Sequence, residues 1–292
     1  MKLTKTISIY FVLLSVLGSA QAMAAEEITK AASTIDAADE QMLNVDGQEV
    51  LSLYRHGERA RLDGGVIVLH DQGANPDWPG VVRTLRRELP RYGWSTLAVA
   101  LPAPDNSAQS SAQVLKAWSE SVPKRIEAAI VAMGERNIFN LVLIGHGTGA
   151  AIAADYIVKN PSDRIQGLIA IGMDGSRHED EALDGAMILR KVNRRILDLY
   201  GSRDLASVVN SAQRRERVAV SAEPGKQRQH LRAADFGKGF NQQNALQITY
   251  RQHRLEGADH HFHGYERQLL SRVAGWLRRY IGSSSIKIKR AK

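Results

Sequence analysis

The 292-residue chain has no cysteine. Disulfides, thiolate metal sites, iron–sulfur clusters and a cysteine nucleophile are therefore excluded. Its 24 Gly and 8 Pro are too few for a fibrous or disordered chain. No internal period of roughly 20–50 residues occurs, which argues against solenoids and propellers. Beyond the N-terminus there is no long apolar run. What remains is ordinary for a soluble globular protein: 43% hydrophobic and 24% charged residues. A chain of this length buries a sizeable core and forms one or two domains.

The N-terminus reads as a secretory signal. Met1 to Lys5 is short and basic, Ile7 to Leu17 is apolar, and Gly18-Ser19-Ala20-Gln21-Ala22-Met23-Ala24 supplies an A-x-A cleavage site. The apolar stretch is too short to span a bilayer comfortably. Cleavage after Ala22 or after Ala24 leaves an exported protein, most simply periplasmic. Absence of cysteine suits an oxidising compartment. Residues 23–45 read as a loose leader, and 283–292 as a basic tail. The formal net charge is +8. Between Arg190 and Arg232 eleven Lys/Arg face only Asp198, Asp204, Glu216 and Glu223. Such runs are ordinarily solvated surface. If this basic face meets a partner, an exported protein points to anionic lipid headgroups or acidic polysaccharide, not nucleic acid.

Strand-like and helix-like segments alternate along residues 46–282. Val50 to Tyr54 reads as an antiparallel strand entering a sheet. Val66-Ile67-Val68-Leu69 is a continuous apolar run, as in a strand buried on both faces. Pro79 to Leu89 has helical spacing, and Ser95 to Leu101 is strand-like. Val114 to Met133 is helical, with Pro123 expected near a helix start. Phe139 to Ile144 is strand, Ala150 to Val158 helix, and Gly167 to Ile171 strand. A short helix at 184–193, a strand at Ile196 to Tyr200, a helix at 205–220, a strand at Leu246 to Tyr250 and a closing helix at 266–281 complete the pattern. Alternation of this kind predicts βαβ units around a mainly parallel sheet. One α/β domain is expected, with 174–195 as a small flap and no full cap domain. Trp78, Trp94, Trp118 and Trp276 are assigned to packing, and Arg214–Arg217 to a solvated helix face.

Functional groups of parallel sheets gather where strands end and helices begin. Gly145-His146-Gly147-Thr148-Gly149 joins a strand to a small-residue helix, which is the setting of a nucleophile elbow. A side chain at position 145 or 149 would meet the neighbouring strand or helix. With the His70-x-x-Gly73 loop, Gly201-x-x-Asp204 and Gly257-Ala258-x-His260-x-Phe262, the chain resembles the α/β-hydrolase superfamily over nearly its whole mature length. The resemblance implies a doubly wound, mostly parallel sheet. It places the acid on Asp204, the histidine on His260, and the oxyanion-hole amides at Gln72 and Thr148. Segments around Asp77-Trp78-Pro79, Gly93-Trp94 and the elbow also resemble one exported bacterial branch of unknown function.

At the elbow centre, where the superfamily has Ser, Cys or Asp, stands Gly147. Glycine cannot attack a carbonyl, and the histidine then has no hydroxyl to deprotonate. The elbow conformation strains other residues by roughly 1–3 kcal/mol, so glycine is relaxed there. Thr148 falls one residue late and is expected to satisfy a free helix amide. His146 is read as packing beside the elbow. His260, His261 and His263, with His70, Asp71, His146, Asp174 and Asp204, could reach one sheet edge, but they show no spaced metal-binding motif. No metal or other cofactor is therefore expected. The chain is expected to bind a ligand or partner in the former cleft, without serine-hydrolase activity. The competing expectation is an ester hydrolase using water activated by His260/Asp204 or bound to a metal.

Overall fold

A computed structural model describes residues 36–103, 110–221 and 250–282. The signal segment, most of the leader, the loop at 104–109, residues 222–249 and the basic tail lie outside the described residues. The chain divides into two units, Met1–Glu40 and Gln41–Lys292. The described part of the first holds one 3-10 turn, Ala37–Asp39, whose Ala38 amide donates to the Asp36 side chain. Residues 40–45, expected to be loose, form strand β1 (Glu40–Val45).

Seven more strands follow: β2 (Gln48–Arg55), β3 (Gly64–Leu69), β4 (Trp94–Val99), β5 (Leu141–His146), β6 (Ile165–Ile171), β7 (Arg195–Arg203) and β8 (Tyr250–Asp259). Their order in the sheet is β1-β2-β4-β3-β5-β6-β7-β8. β2 runs antiparallel to β4, while β4, β3, β5, β6, β7 and β8 are parallel neighbours. The expected doubly wound, mostly parallel α/β sheet is thus present. The helices are α1 (Val81–Glu88), α2 (Ser111–Glu135), α3 (Thr148–Lys159), α4 (Gly185–Lys191), α5 (Ala206–Val220) and α6 (Glu266–Tyr280). Among the described residues no helix is long and apolar enough to cross a membrane.

The central strands are apolar throughout because both faces are covered. Ile67 and Leu69 join a core with Val114, Trp118 and Ile126 of α2 and Ile152 of α3. Strand residues alternate in direction, so Val66 and Val68 point to the opposite face. They are buried as well.

Three elements depart from expectation. Pro123 lies in the middle of one continuous helix, α2, and not near a start. The helix begins at a capping box in which Ser110 and Gln113 bond reciprocally. Val114, Trp118, Val122, Ile126 and Met133 then form a buried stripe. Each such side chain contributes about 1.5–3 kcal/mol on burial, which outweighs the roughly 3 kcal/mol cost of an interior proline. The strand expected at Leu246 to Tyr250 meets the described residues only at Tyr250, with 246–249 outside them, and β8 runs from there to Asp259. As an edge strand it leaves Arg251, Arg254 and Glu256 exposed. Arg215, assigned to a solvated face, is fully buried on Asp198, with Nε 2.8 Å from the carboxylate. Asp198 also accepts from Tyr250 and Gln252, which ties α5 to β7 and β8.

Candidate functional site

β5 ends in a turn whose centre, Gly147, has φ 54° and ψ −121°. Its amide donates to Ile171 O of the neighbouring strand at 2.9 Å. The flanking glycines are as close-packed as expected. A Cβ on Gly145 would stand 2.3 Å from Ala150 Cα, and one on Gly149 the same distance from His70 O. The elbow is therefore present in backbone form.

The space above its centre is filled by another residue. A Cβ on Gly147 would lie 2.1 Å from Asp71 Cγ and within 2.3 Å of both its carboxylate oxygens. Asp71 Oδ1 accepts from the Gln72 amide at 2.8 Å and the Thr148 amide at 2.7 Å. These are the two amides predicted for an oxyanion hole, and the distances are those such a hole requires. Asp71 Oδ2 accepts from His260 Nε2 at 3.0 Å. One carboxylate thus fills the space above Gly147 and holds both amides expected to form an oxyanion hole. Asp71 is held there by its neighbour. His70 Nδ1 donates to Asp71 O at 2.7 Å, and His70 Nε2 accepts from the Leu101 amide at 2.9 Å. Burial drives the His70 pKa down to about 4, consistent with this neutral tautomer.

His260 and Asp204 meet as expected, with Nδ1 donating to Oδ1 at 2.5 Å. Asp204 is oriented by the amides of Leu205 and Gly201. Both ring nitrogens of His260 therefore face carboxylates. Burial opposes charging of the ring. The hydrogen bonds to Asp204 and Asp71 prevail, and its pKa rises to about 9. Burial likewise opposes ionisation of Asp71, yet the bond from His260 and the nearby donors bring it down to about 2.

His146 does more than pack. Its ring lies 4.6 Å from that of His260, at 30°. Its Nε2 is 2.9 Å from His260 O. A carbonyl only accepts, so Nε2 carries the hydrogen and Nδ1 is a lone pair. That Nδ1 is buried without a hydrogen-bond partner among the described residues. Burial and the charge of His260 push the His146 pKa down to about 4. One nitrogen each of His146 and His260 and one oxygen of Asp71 lie within 4.8 Å of one another. Thr148 Oγ1 does not cap a helix amide as expected. It too is buried without a partner among the described residues, because the helix already begins at the tight Gly147 turn.

Of the other candidates, His261 lies close, its ring 5.3 Å from that of His260 and 5.9 Å from that of His146, and Asp174 lines the same cavity as Asp71 and His260. His70 is turned to Leu101, Asp174 accepts from the Ser176 amide, and His263 pairs with Asp259. The cavity, of about 110 Å³, opens beside Asp71 and His260. Leu115, Ala151 and Val208 form part of its apolar wall, and the flap adds Arg177, His178 and Leu183. The flap is anchored by Arg214, which grips both oxygens of Asp184 at 2.7 and 2.6 Å. Asp184 in turn caps α4 through the Met187 amide.

Asp71 is the residue that sequence patterns left without this role. A signal for it exists: an acid directly precedes Gln72, the expected oxyanion-loop residue, in a chain with glycine at position 147.

Solved structures share this architecture at low identity. Est1E from Butyrivibrio proteoclasticus superposes with a TM-score of 0.59 at 11% identity, covering 83% of this chain and 99% of that one. The Pyrococcus furiosus esterase Pf2001 gives 0.59 at 12%, covering 83% and 92%. An alpha-beta serine hydrolase homologue from Coxiella burnetii gives 0.58 at 13%, covering 82% and 98%. Such identities establish the α/β-hydrolase fold and nothing finer. No curated protein matches the chain. A family profile described as "Protein of unknown function (DUF3530)" matches residues 9–121 and 105–249, more than half of the chain, and the chain belongs to that family.

Proposed function

We propose that this protein is a binding protein built on a hydrolase scaffold, exported through its N-terminal signal, in which acyl transfer has been lost. The observation that carries this reading is the Asp71 carboxylate lodged in the Gln72 and Thr148 amides above Gly147. A substrate carbonyl entering the cleft finds no hydroxyl hydrogen-bonded to His260, whose two ring nitrogens bond Asp204 and Asp71. It also finds no free amide for its developing oxyanion, because Asp71 Oδ1 holds both. His260 has no free nitrogen with which to activate water, since Asp71 and Asp204 engage both. Asp71 is not a substitute for serine in ester cleavage. Its attack on an acyl carbon would form a mixed anhydride and still require the amides it occupies. The cavity beside these groups remains available to a ligand.

The test is covalent labelling. Purified protein is incubated with a fluorophosphonate probe, a panel of aryl esters and thioesters, and a reactive alkyl halide, and its intact mass is then measured. No adduct and no turnover above buffer is expected. An acyl or phosphonyl adduct, or ester turnover abolished by His260→Ala, would overturn the reading. An alkyl group on Asp71 would instead make this carboxylate a nucleophile toward saturated carbon. Export is checked by N-terminal sequencing of the protein from a periplasmic fraction, which should begin at Met23 or Ala25.

A further inference from the structure

We infer that Asp71, His146 and His260 form a binding site for one divalent transition-metal ion of the zinc type. The inference rests on the binding-protein reading above and names its ligand. Three donor atoms, one from each residue, lie within 4.8 Å of one another. The edge between Asp71 Oδ2 and His260 Nε2 is 3.0 Å, close to what two ligands about 2.0 Å from a tetrahedral ion require. The ion would replace the proton now shared along that edge.

The independent observation is His146. Its Nε2–H is committed to His260 O, so its Nδ1 presents a lone pair. Residue His146 is 1% exposed, and that nitrogen has no hydrogen-bond partner among the described residues. A buried, neutral imidazole without a donor to its lone pair leaves an acceptor unsatisfied, and a cation satisfies it.

Every donor is also backed as metal ligands are. A ligating histidine normally gives its other N–H to a carboxylate or carbonyl, and a ligating carboxylate is itself hydrogen-bonded. Here His260 Nδ1 donates to Asp204, His146 Nε2 donates to a carbonyl, and Asp71 Oδ1 accepts from two amides. These contacts fix both ring orientations before any ion arrives. Two imidazoles and one carboxylate suit zinc, copper or nickel and disfavour calcium and magnesium, which take oxygen ligands. The cavity touches Asp71 and His260 and leaves room for a further ligand on the open side.

The experiment uses purified protein stripped with a chelator and titrated with Zn²⁺ alone, by calorimetry and by elemental analysis after dialysis. One equivalent is expected to be retained. Asp71→Asn and His146→Gln should each weaken binding by about 100-fold or more, and Asp204→Asn, which only orients His260, by about 10–100-fold. His56→Ala, on a surface histidine bonded to Tyr54, should leave it unchanged. Circular dichroism confirms that each variant is folded. Where one is not, Co²⁺ loaded into the unaltered protein decides the matter. An intense tetrahedral visible band supports the site, and an octahedral spectrum overturns it. Retention of less than a tenth of an equivalent overturns it too, as does equal loss in His56→Ala. If zinc fails to bind and the acylating probe still finds no residue, the metal assignment falls while the binding-protein reading stands. Probe labelling removes that reading whatever zinc does.

Discussion

Gly147 and Asp71 occupy one space, so their substitutions must be coupled. Gly147→Ala adds a methyl group at φ 54°, where strain costs about 1–3 kcal/mol. That methyl would also stand 2.1–2.3 Å from three Asp71 side-chain atoms, so the carboxylate has to leave. Losing even one charge-assisted hydrogen bond costs about 1.5–3 kcal/mol more. Gly147→Ala alone should therefore destabilise the fold by about 2.5–6 kcal/mol. Asp71→Ala removes all three clashing atoms. In that background only the backbone strain should remain, about 1–3 kcal/mol. The assay is a double-mutant cycle by urea unfolding, with chelator present so that no ion contributes. The expected coupling is about 1.5–3 kcal/mol, in the direction of mutual relief. As thermal midpoints, each kcal/mol corresponds to about 2–4 °C for a domain near this size. Additive penalties, agreeing within about 0.5 kcal/mol, would show that Asp71 does not stand over Gly147 in solution.

Other substitutions test the surroundings. Asp71→Ala combined with Gly147→Ser introduces a hydroxyl above the elbow on the His260 side and frees the Gln72 and Thr148 amides. Hydrolysis of p-nitrophenyl acetate above buffer, abolished by His260→Ala, is expected, and a folded but inert double variant would contradict a working geometry in the remaining parts. Asp198→Asn leaves the fully buried Arg215 without its counter-charge and should cost about 3–5 kcal/mol. Tyr250→Phe removes one hydrogen bond to the same carboxylate and should cost about 1 kcal/mol. The reverse ranking in chemical denaturation would refute the hub at Asp198. Burial opposes ionisation of Asp184, but the bonds from Arg214 and the α4 amide prevail and hold its pKa below the ordinary 3.8. The stability it contributes is therefore present above about pH 4 and lost as pH falls through the lowered folded value. The gap in melting midpoint between the unaltered protein and Asp184→Asn should accordingly narrow on acidification from pH 6 to pH 3, and a gap that widens would reverse the sign.

The buried half of the sheet is legible in the sequence because the forces there are simple. Val66–Leu69 and Leu141–Ile144 must be apolar on both faces, and no other arrangement buries so continuous a run. Legibility fails where tertiary contacts change what a local pattern means. The charged run through Arg251, Arg254 and Glu256 is compatible with a strand only at a sheet edge. Arg214–Arg217 looks uniformly solvated, yet Arg215 is drawn inside by an aspartate 17 positions earlier. Pro123 reads as a boundary until the packing of the whole α2 stripe is counted.

The site divides in the same way. Glycines spaced two apart after a β-run mark the elbow, and the later Asp204 and His260 follow from the order of strand ends. Asp71, His146 and His260 share no spacing rule, since each leaves a different strand: β3, β5 and β8. Paired histidines on one helix face announce a metal by sequence alone; donors gathered from three strand ends do not, because only the folded sheet brings them together. The missing side chain at 147 is what links the two levels. An elbow serine would need the volume that the Asp71 carboxylate now fills, so chain positions 71 and 147 cannot vary independently. A variant of this chain that carries a hydroxyl at the elbow must move or shorten residue 71. One that keeps glycine there keeps a carboxylate fixed between two amides and an imidazole, with a second imidazole 4.6 Å from the first. Glycine at 147 is thus the condition that lets this set of donors assemble.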